Sequence, residues 1–144
     1  MVSRPLILLS LCWSLYAAQE ITIEHALRAI AEIESGCVVE ASGKVTGRWT
    51  IGQDGELSMF QIHPSVLRQI GVWSKAARIH KDPVYAESIA RLWLGLLLRK
   101  YGNYHDSLAA WNGGHGNRGS KAAQDYAIRA LNLAEKLAQE DAAK

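Results

Sequence analysis

The stretch ITIEHALRAIAEIESG, residues 21–36, decides how the rest of the chain is read. Its apolar residues Ile23, Leu27, Ile30 and Ala31 recur at three- and four-residue steps, which puts them on one side of an α-helix. Thr22 suits the capping position before it, and Ser35 with Gly36 gives it a stop. Glu34 falls on the same side, one turn beyond Ile30 and Ala31. A carboxylate that closes an otherwise buried stripe is either a surface residue at a fraying helix end or a side chain placed for chemistry. In the second case, burial beside Leu27 and Ile30 raises its pKa, so the group holds a proton near neutrality and can protonate a leaving oxygen.

Outward from that helix, residues 38–55 (VVEASGKVTGRWTIGQDG) lose helical periodicity and hold four glycines, so a loop is expected, with a short hairpin around Gly43 or Gly47. Pro64 opens a helix that ends at Gly71, and Trp73 to Lys81 is short and partly helical. Asp82 and Pro83 then begin a long helix that runs to Tyr101 before Gly102. Ile89, Trp93, Leu96 and Leu97 line one side of it, while Leu92, Leu94 and Leu98 spread apolar surface around it, which predicts a place at the centre of the fold. A shorter helix covers Asn103 to Trp111, after which NGGHGNRGS cannot be helical throughout. The last helix, Lys121 to Gln139, turns Tyr126, Ala130, Leu133 and Leu137 inward, and the tail EDAAK is expected to fray. The sum is an all-α or mainly α single domain over residues 19–144, whose two glycine-containing loops can wall a cleft.

Residues 1–18 are read apart from that domain. Arg4, the apolar run PLILLSLCWSLY, then Ala17 and Ala18 form an export signal. The run is too short for a membrane span of about 17 to 25 apolar residues, so the alternative is a buried or anchoring N-terminal helix. Cys12 follows Leu11, where a lipoprotein signal needs a small residue. Cleavage after Ala18 leaves Cys37 as the one cysteine, so the mature domain is expected to hold by its core rather than by an intrachain disulfide. With 16 Lys and Arg against 14 Asp and Glu, the basic residues scattered along the chain, no concentrated positive surface is expected for nucleic acid.

Two further runs carry chemistry. In GELSMFQIHP, residues 55–64, Ser58 and Gln61 interrupt an apolar stretch, and buried polar groups must find partners. The Gln61 amide either satisfies nearby backbone or meets a sugar hydroxyl or acetamido group. In AAWNGGHGN, residues 109–117, Trp111 and Asn112 stand beside glycines at a helix end, as a sugar-stacking platform with an edge amide or as a packed turn. The five histidines lack metal-ligand spacing, no phosphate-loop or serine-elbow motif is present, and neither a metal nor another cofactor is expected.

Glu34-Ser35 after a helix, SMFQIHP, AAWNGG and a final helix carrying Tyr126 together resemble the catalytic domain of the soluble lytic transglycosylases, within the lysozyme-like superfamily. The resemblance spans roughly Ile21 to Leu137. It implies a lysozyme-like fold and an exported enzyme, periplasmic or extracellular. The implied reaction cleaves the N-acetylmuramic acid–N-acetylglucosamine bond of peptidoglycan and leaves a 1,6-anhydro end. Glu34 would act as the lone acid and base. Ser35, Ser58, Gln61, Trp111, Asn112 and Tyr126 would bind or support the substrate, Tyr126 beside the acid. The family's serine-x-glycine element aligns on Glu56 and Ser58, its usual tyrosine on Trp111, and its helical asparagine and glycine on Ala86 and Ala90. Glu56 or Asp54 could supply a second carboxylate, which a goose-type or chitinase-like hydrolase would use to activate water. A non-catalytic glycan-binding domain is the remaining alternative. Peptidoglycan strands are the implied partner of a monomer, alone or beside a secretion, conjugation or phage apparatus.

Overall fold

The computed structural model describes residues 19–144, so the export signal and Cys12 lie outside the described residues. Six α-helices and one two-stranded hairpin make up the fold: α1 Ile23–Ser35, β1 Val38–Val39, β2 Val45–Thr46, α2 Pro64–Gln69, α3 Ala76–Lys81, α4 Pro83–Tyr101, α5 Tyr104–Asn117 and α6 Lys121–Ala142. A 3-10 turn, Trp73–Lys75, leads into α3. The domain is mainly helical with a small hairpin, as a lysozyme-like domain is.

Local chemistry sets the helix ends. The Thr22 hydroxyl accepts from the His25 backbone N–H, and the His25 ring in turn accepts from Thr22 N–H, so two otherwise orphaned donors are satisfied. Gly36 ends α1 in the left-handed region at φ 71°, where its N–H reaches Glu32 O. Asp82 caps α4 through Tyr85 N–H, Pro83 occupies the first turn, and Gly102 closes the helix at φ 77°. The expected hairpin forms with Val38 opposite Thr46 and Val39 opposite Val45, and Gly43 takes φ 84° in the connection.

The centre of the fold is α1 rather than α4. Seven successive residues, His25 to Ala31, are buried in α1, whereas Leu92 and Leu96 of α4 face solvent and only one side of that helix packs inward. Small residues explain the difference. Ala26, Ala29 and Ala31 let neighbours close around α1, and Ala127, Ala130 and Ala134 present an equally low surface on α6. The bulkier α4 is held at one flank, where Ala86 and Ala90 are fully buried. Phe60, Met59, Ile30, Leu67 and Leu94 fill the space between the layers, each worth about 1.5–3 kcal/mol of burial.

Two further expectations are corrected. The helix expected to end at Trp111 continues to Asn117, although Gly114, at φ 71° and ψ 176°, breaks its course. The C-terminal tail does not fray at Gln139, because α6 runs on to Ala142. Arg28 donates from Nε to Val39 O at 2.7 Å and pairs through Nη1 with Asp141, which ties α6 to α1 and β1. His25 Nε2 lies 3.4 Å from the same carboxylate.

Candidate active site

An open cleft of about 540 Å³ runs between the turn after residue 57, α2 and the glycine-rich end of α5. Glu34, Glu56 and Gln61 line one part, and Trp111, Asn112 and Gly113 face them from α5. His63, Ser65 and Gln69 form the α2 side, with Trp93 and His115 at the cleft's aromatic end. Sequence reasoning missed Gly52, Gln53, His63, Ser65, Gln69 and His115. Gly52, Gln53 and His115 belong to the two glycine-containing loops expected to wall a cleft, and His63, Ser65 and Gln69 lie in SMFQIHP or just after it, so their signal was place in the chain and not residue type.

Glu34 sits in the last turn of α1, half-buried, with its carboxyl on the cleft. Burial pushes its pKa up, the Glu56 charge adds to that push, and Tyr126 and Arg129 oppose it. Tyr126, on α6, is itself buried, and its Oη makes no well-formed hydrogen bond among the described residues, although it lies near enough to Glu34 to stabilise the carboxylate and oppose the upward shift. Burial and then the Glu34 charge hold this phenol well above its ordinary value, so it stays a donor with the acid as its strongest neighbour. Arg129, one turn along α6, is a cation near both groups that sequence reasoning did not single out.

The cleft wall is a tight turn. Leu57 and Ile62 form an antiparallel bridge with bonds of 3.0 and 2.9 Å, and Gln61 N–H closes the turn on Ser58 O at 3.1 Å. Among the described residues, Ser58 and Gln61 are the non-glycine residues with positive φ, 68° and 47°, a conformation that costs an L-residue roughly 1–2 kcal/mol. Ser58, at the position where the resemblance expects glycine, takes a backbone conformation that favours glycine, and its buried hydroxyl accepts from Phe60 N–H at 3.2 Å. Gln61 donates from Nε2 to Thr50 O and Ser58 O, both at 2.9 Å, so its amide binds the preceding loop to the turn. Gly52 permits this approach: a Cβ there would lie 2.2 Å from Glu56 Oε2 and 2.6 Å from Gln61 Oε1. His80 of α3 pins the wall from behind, accepting from Ser58 N–H at 3.3 Å and from Trp49 Nε1 through its backbone oxygen at 2.7 Å.

The remaining candidates separate. Ser35 bonds back to Ala31 O at 2.9 Å and accepts weakly from Cys37 N–H, which stiffens the end of α1 behind Glu34. Asp54 is exposed and lies outside the cleft lining, whereas half-buried Glu56 is in it and accepts from Asp54 N–H at 3.0 Å. Trp111 is half-buried and Asn112 exposed. On α5, Gly113 meets α6 so closely that a Cβ would lie 2.9 Å from Ala123 Cβ, and Gly114 turns the chain along the cleft edge. No group of three His, Cys, Asp or Glu side chains converges as metal ligands among the described residues.

This arrangement offers a carboxyl whose pKa is raised by burial, a second carboxyl whose charge reaches it, a buried phenol close to it and aromatic side chains on the cleft. Such a set can protonate a bridging oxygen within a polymer laid along the groove. The family model described as "Transglycosylase SLT domain" matches residues 12–133. No match is found among curated proteins or among solved structures.

Proposed function

The chain belongs to the transglycosylase SLT domain family, whose activity is lytic cleavage of peptidoglycan, and from that premise we propose an exported enzyme that cuts the N-acetylmuramic acid–N-acetylglucosamine bond without water. The observation that carries the proposal is the desolvated Glu34 carboxyl facing the cleft. Glu34 gives its proton to the glycosidic oxygen, and the bond to muramoyl C1 breaks as positive charge develops on that sugar. The resulting carboxylate takes the proton of the muramoyl 6-hydroxyl while O6 bonds to C1. The products are a 1,6-anhydromuramoyl end and a free 4-hydroxyl, with Glu34 again protonated.

Tyr126 stabilises the transient carboxylate by donating its hydroxyl to it, and Arg129 contributes positive charge to the same group. Trp111 stacks on a sugar ring, and Asn112 offers an unengaged amide at its edge. Gln61 acts indirectly, through the loop it holds.

Glu56 supports a second reading, since it is a carboxylate in the same cleft whose charge acts on Glu34. As a base it would activate water and make the enzyme a hydrolase. Mass spectrometry of digested peptidoglycan separates the two. Anhydromuramic ends, lighter by one water, support transglycosylation, whereas reducing ends overturn it in favour of hydrolysis. Glu34→Gln should lower turnover by about 100- to 10,000-fold while strands still bind. An active Glu34→Gln variant would remove the acid from its role, and a wild type that binds but never cleaves would leave a glycan-binding domain. For export, the proposal is that residues 1–18 are removed, and the N-terminal sequence of protein recovered outside the cytoplasm tests it.

A further inference from the structure

Lys100 on α4 and Arg118 after α5 are brought by the fold to the ring of Tyr101, which contacts the cleft residue His115 from outside the lining. The Arg118 guanidinium carbon lies 4.5 Å from the Tyr101 ring centroid, and Lys100 Nζ lies 5.6 Å from it. Tyr101 Oη stands 2.5 Å from His115 Nδ1, and Lys100 Nζ stands 3.3 Å from the same nitrogen. His115 lines the cleft, with its ring edge-on to Trp93 at 6.0 Å between centroids.

Two features make this more than a solvated basic face. Neither cation has a carboxylate within 4 Å among the described residues. The acid that feels Arg118 is Asp106, which is already engaged by Asn103 at 3.0 Å and faces His105 at 3.6 Å. Because an ammonium can only donate, the Lys100 contact assigns His115 Nδ1 as the acceptor and the ring proton to Nε2. Burial, then Lys100 and Arg118, lower the His115 pKa and favour that neutral form. The cluster therefore presents two positive charges that no carboxylate neutralises, one of them over the Tyr101 ring, beside a neutral imidazole.

We propose that Lys100, Arg118 and His115, organised around Tyr101, form a carboxylate-binding subsite that selects anionic wall strands over neutral glycans of the same backbone. The inference rests on the reading of the cleft as a glycan groove and names the substituent it prefers. On peptidoglycan, carboxylates come from stem peptides or, where these are removed, from the free lactyl group of the muramoyl residue. A guanidinium and an ammonium held at one ring match a carboxylate in charge, and the guanidinium offers paired N–H donors for its two oxygens.

The test measures binding to the Glu34→Gln protein by calorimetry, so that no cleavage intervenes. Three ligands are compared: strands carrying stem peptides, amidase-stripped strands and neutral chitohexaose. The ratio of affinities for anionic strand over chitohexaose should fall roughly tenfold in a Lys100→Gln/Arg118→Gln variant, and the salt dependence of strand binding should flatten with it. A fall confined to peptide-bearing strands assigns the stem peptide, and a fall on stripped strands too assigns the lactyl carboxylate. An unchanged ratio in the double variant overturns the subsite. If the double variant does not fold, Lys100→Gln alone, whose side chain is exposed, must lower the ratio or the subsite is lost. Cleavage by the wild type is scored separately, so strand binding that depends on these cations without any cleavage would sink the enzymatic reading and leave this one standing.

Discussion

Glu34 and Ser58 show how far single residues carry the argument. Glu34 was legible because a helical stripe ran into a carboxylate, and that pattern survives folding as a half-buried acid on the cleft. Its raised pKa gives a stability prediction of definite sign. Burial disfavours the ionised form, so the folded chain bears a cost once the group loses its proton, and the cost appears as pH rises from the unfolded value of 4.5 through the higher folded one. Glu34→Gln should therefore melt higher than wild type at neutral pH and converge with it below about pH 4.5 in thermal scans; a lower neutral melting temperature contradicts the buried-acid reading. Activity has a linked prediction. Because the Glu56 charge raises the Glu34 pKa, Glu56→Gln should move the alkaline limb of the pH–rate profile toward acid. An unmoved limb means that the two carboxyls do not sense each other. Ser58 was less legible, since a serine announces no left-handed backbone.

At the scale of elements, caps were readable and endings were not. Thr22, Asp82, Pro83, Gly36 and Gly102 act through neighbours a few residues away, so their effect is written locally. The end of α6 depends on Asp141 meeting Arg28, a contact between residues 113 positions apart, which no local pattern reveals. The extent of α5 was misread because glycine lowers helix propensity without forbidding a helix, and only Gly114 departs from helical angles. The cleft-wall turn 58–61 gives a prediction at this scale. Ser58→Ala keeps the strained φ of 68° and leaves the buried Phe60 N–H without its acceptor, so it should cost about 1–3 kcal/mol. Ser58→Gly loses the same acceptor but relieves roughly 1 kcal/mol of backbone strain, and should denature at a higher urea midpoint than Ser58→Ala. The reverse order would show that the hydroxyl and the backbone angle are not the terms that hold the wall.

Across the whole molecule, two groups of carboxyls pull in opposite directions as pH changes. Glu34 is held above its ordinary value by burial, while Asp141 is held below 3.8, first by the hydrogen bond from Arg28 and then by Lys144 and the Arg28 charge. Glu34 thus weakens the fold near neutrality, and the clamp that closes α6 onto α1 and β1 strengthens it. A depressed carboxyl contributes stability that is fully present above its unfolded pKa and is lost as pH falls through its lower folded one. For Asp141 that window opens near pH 3.8 and extends downward, below the range in which Glu34 titrates. Asp141→Asn should therefore lower the melting temperature at pH 5 to 7, and the deficit should shrink as the scans pass below about pH 3.8. Because Arg28 also donates to Val39 O, the variant should keep the hairpin ordered and loosen the end of α6 first, read as faster amide exchange over residues 137–142. A deficit that stays constant down to pH 2, or exchange that quickens equally through β1 and β2, would mean that the last turns of α6 are held by apolar packing of Leu137 and Ala138 and not by the ion pair.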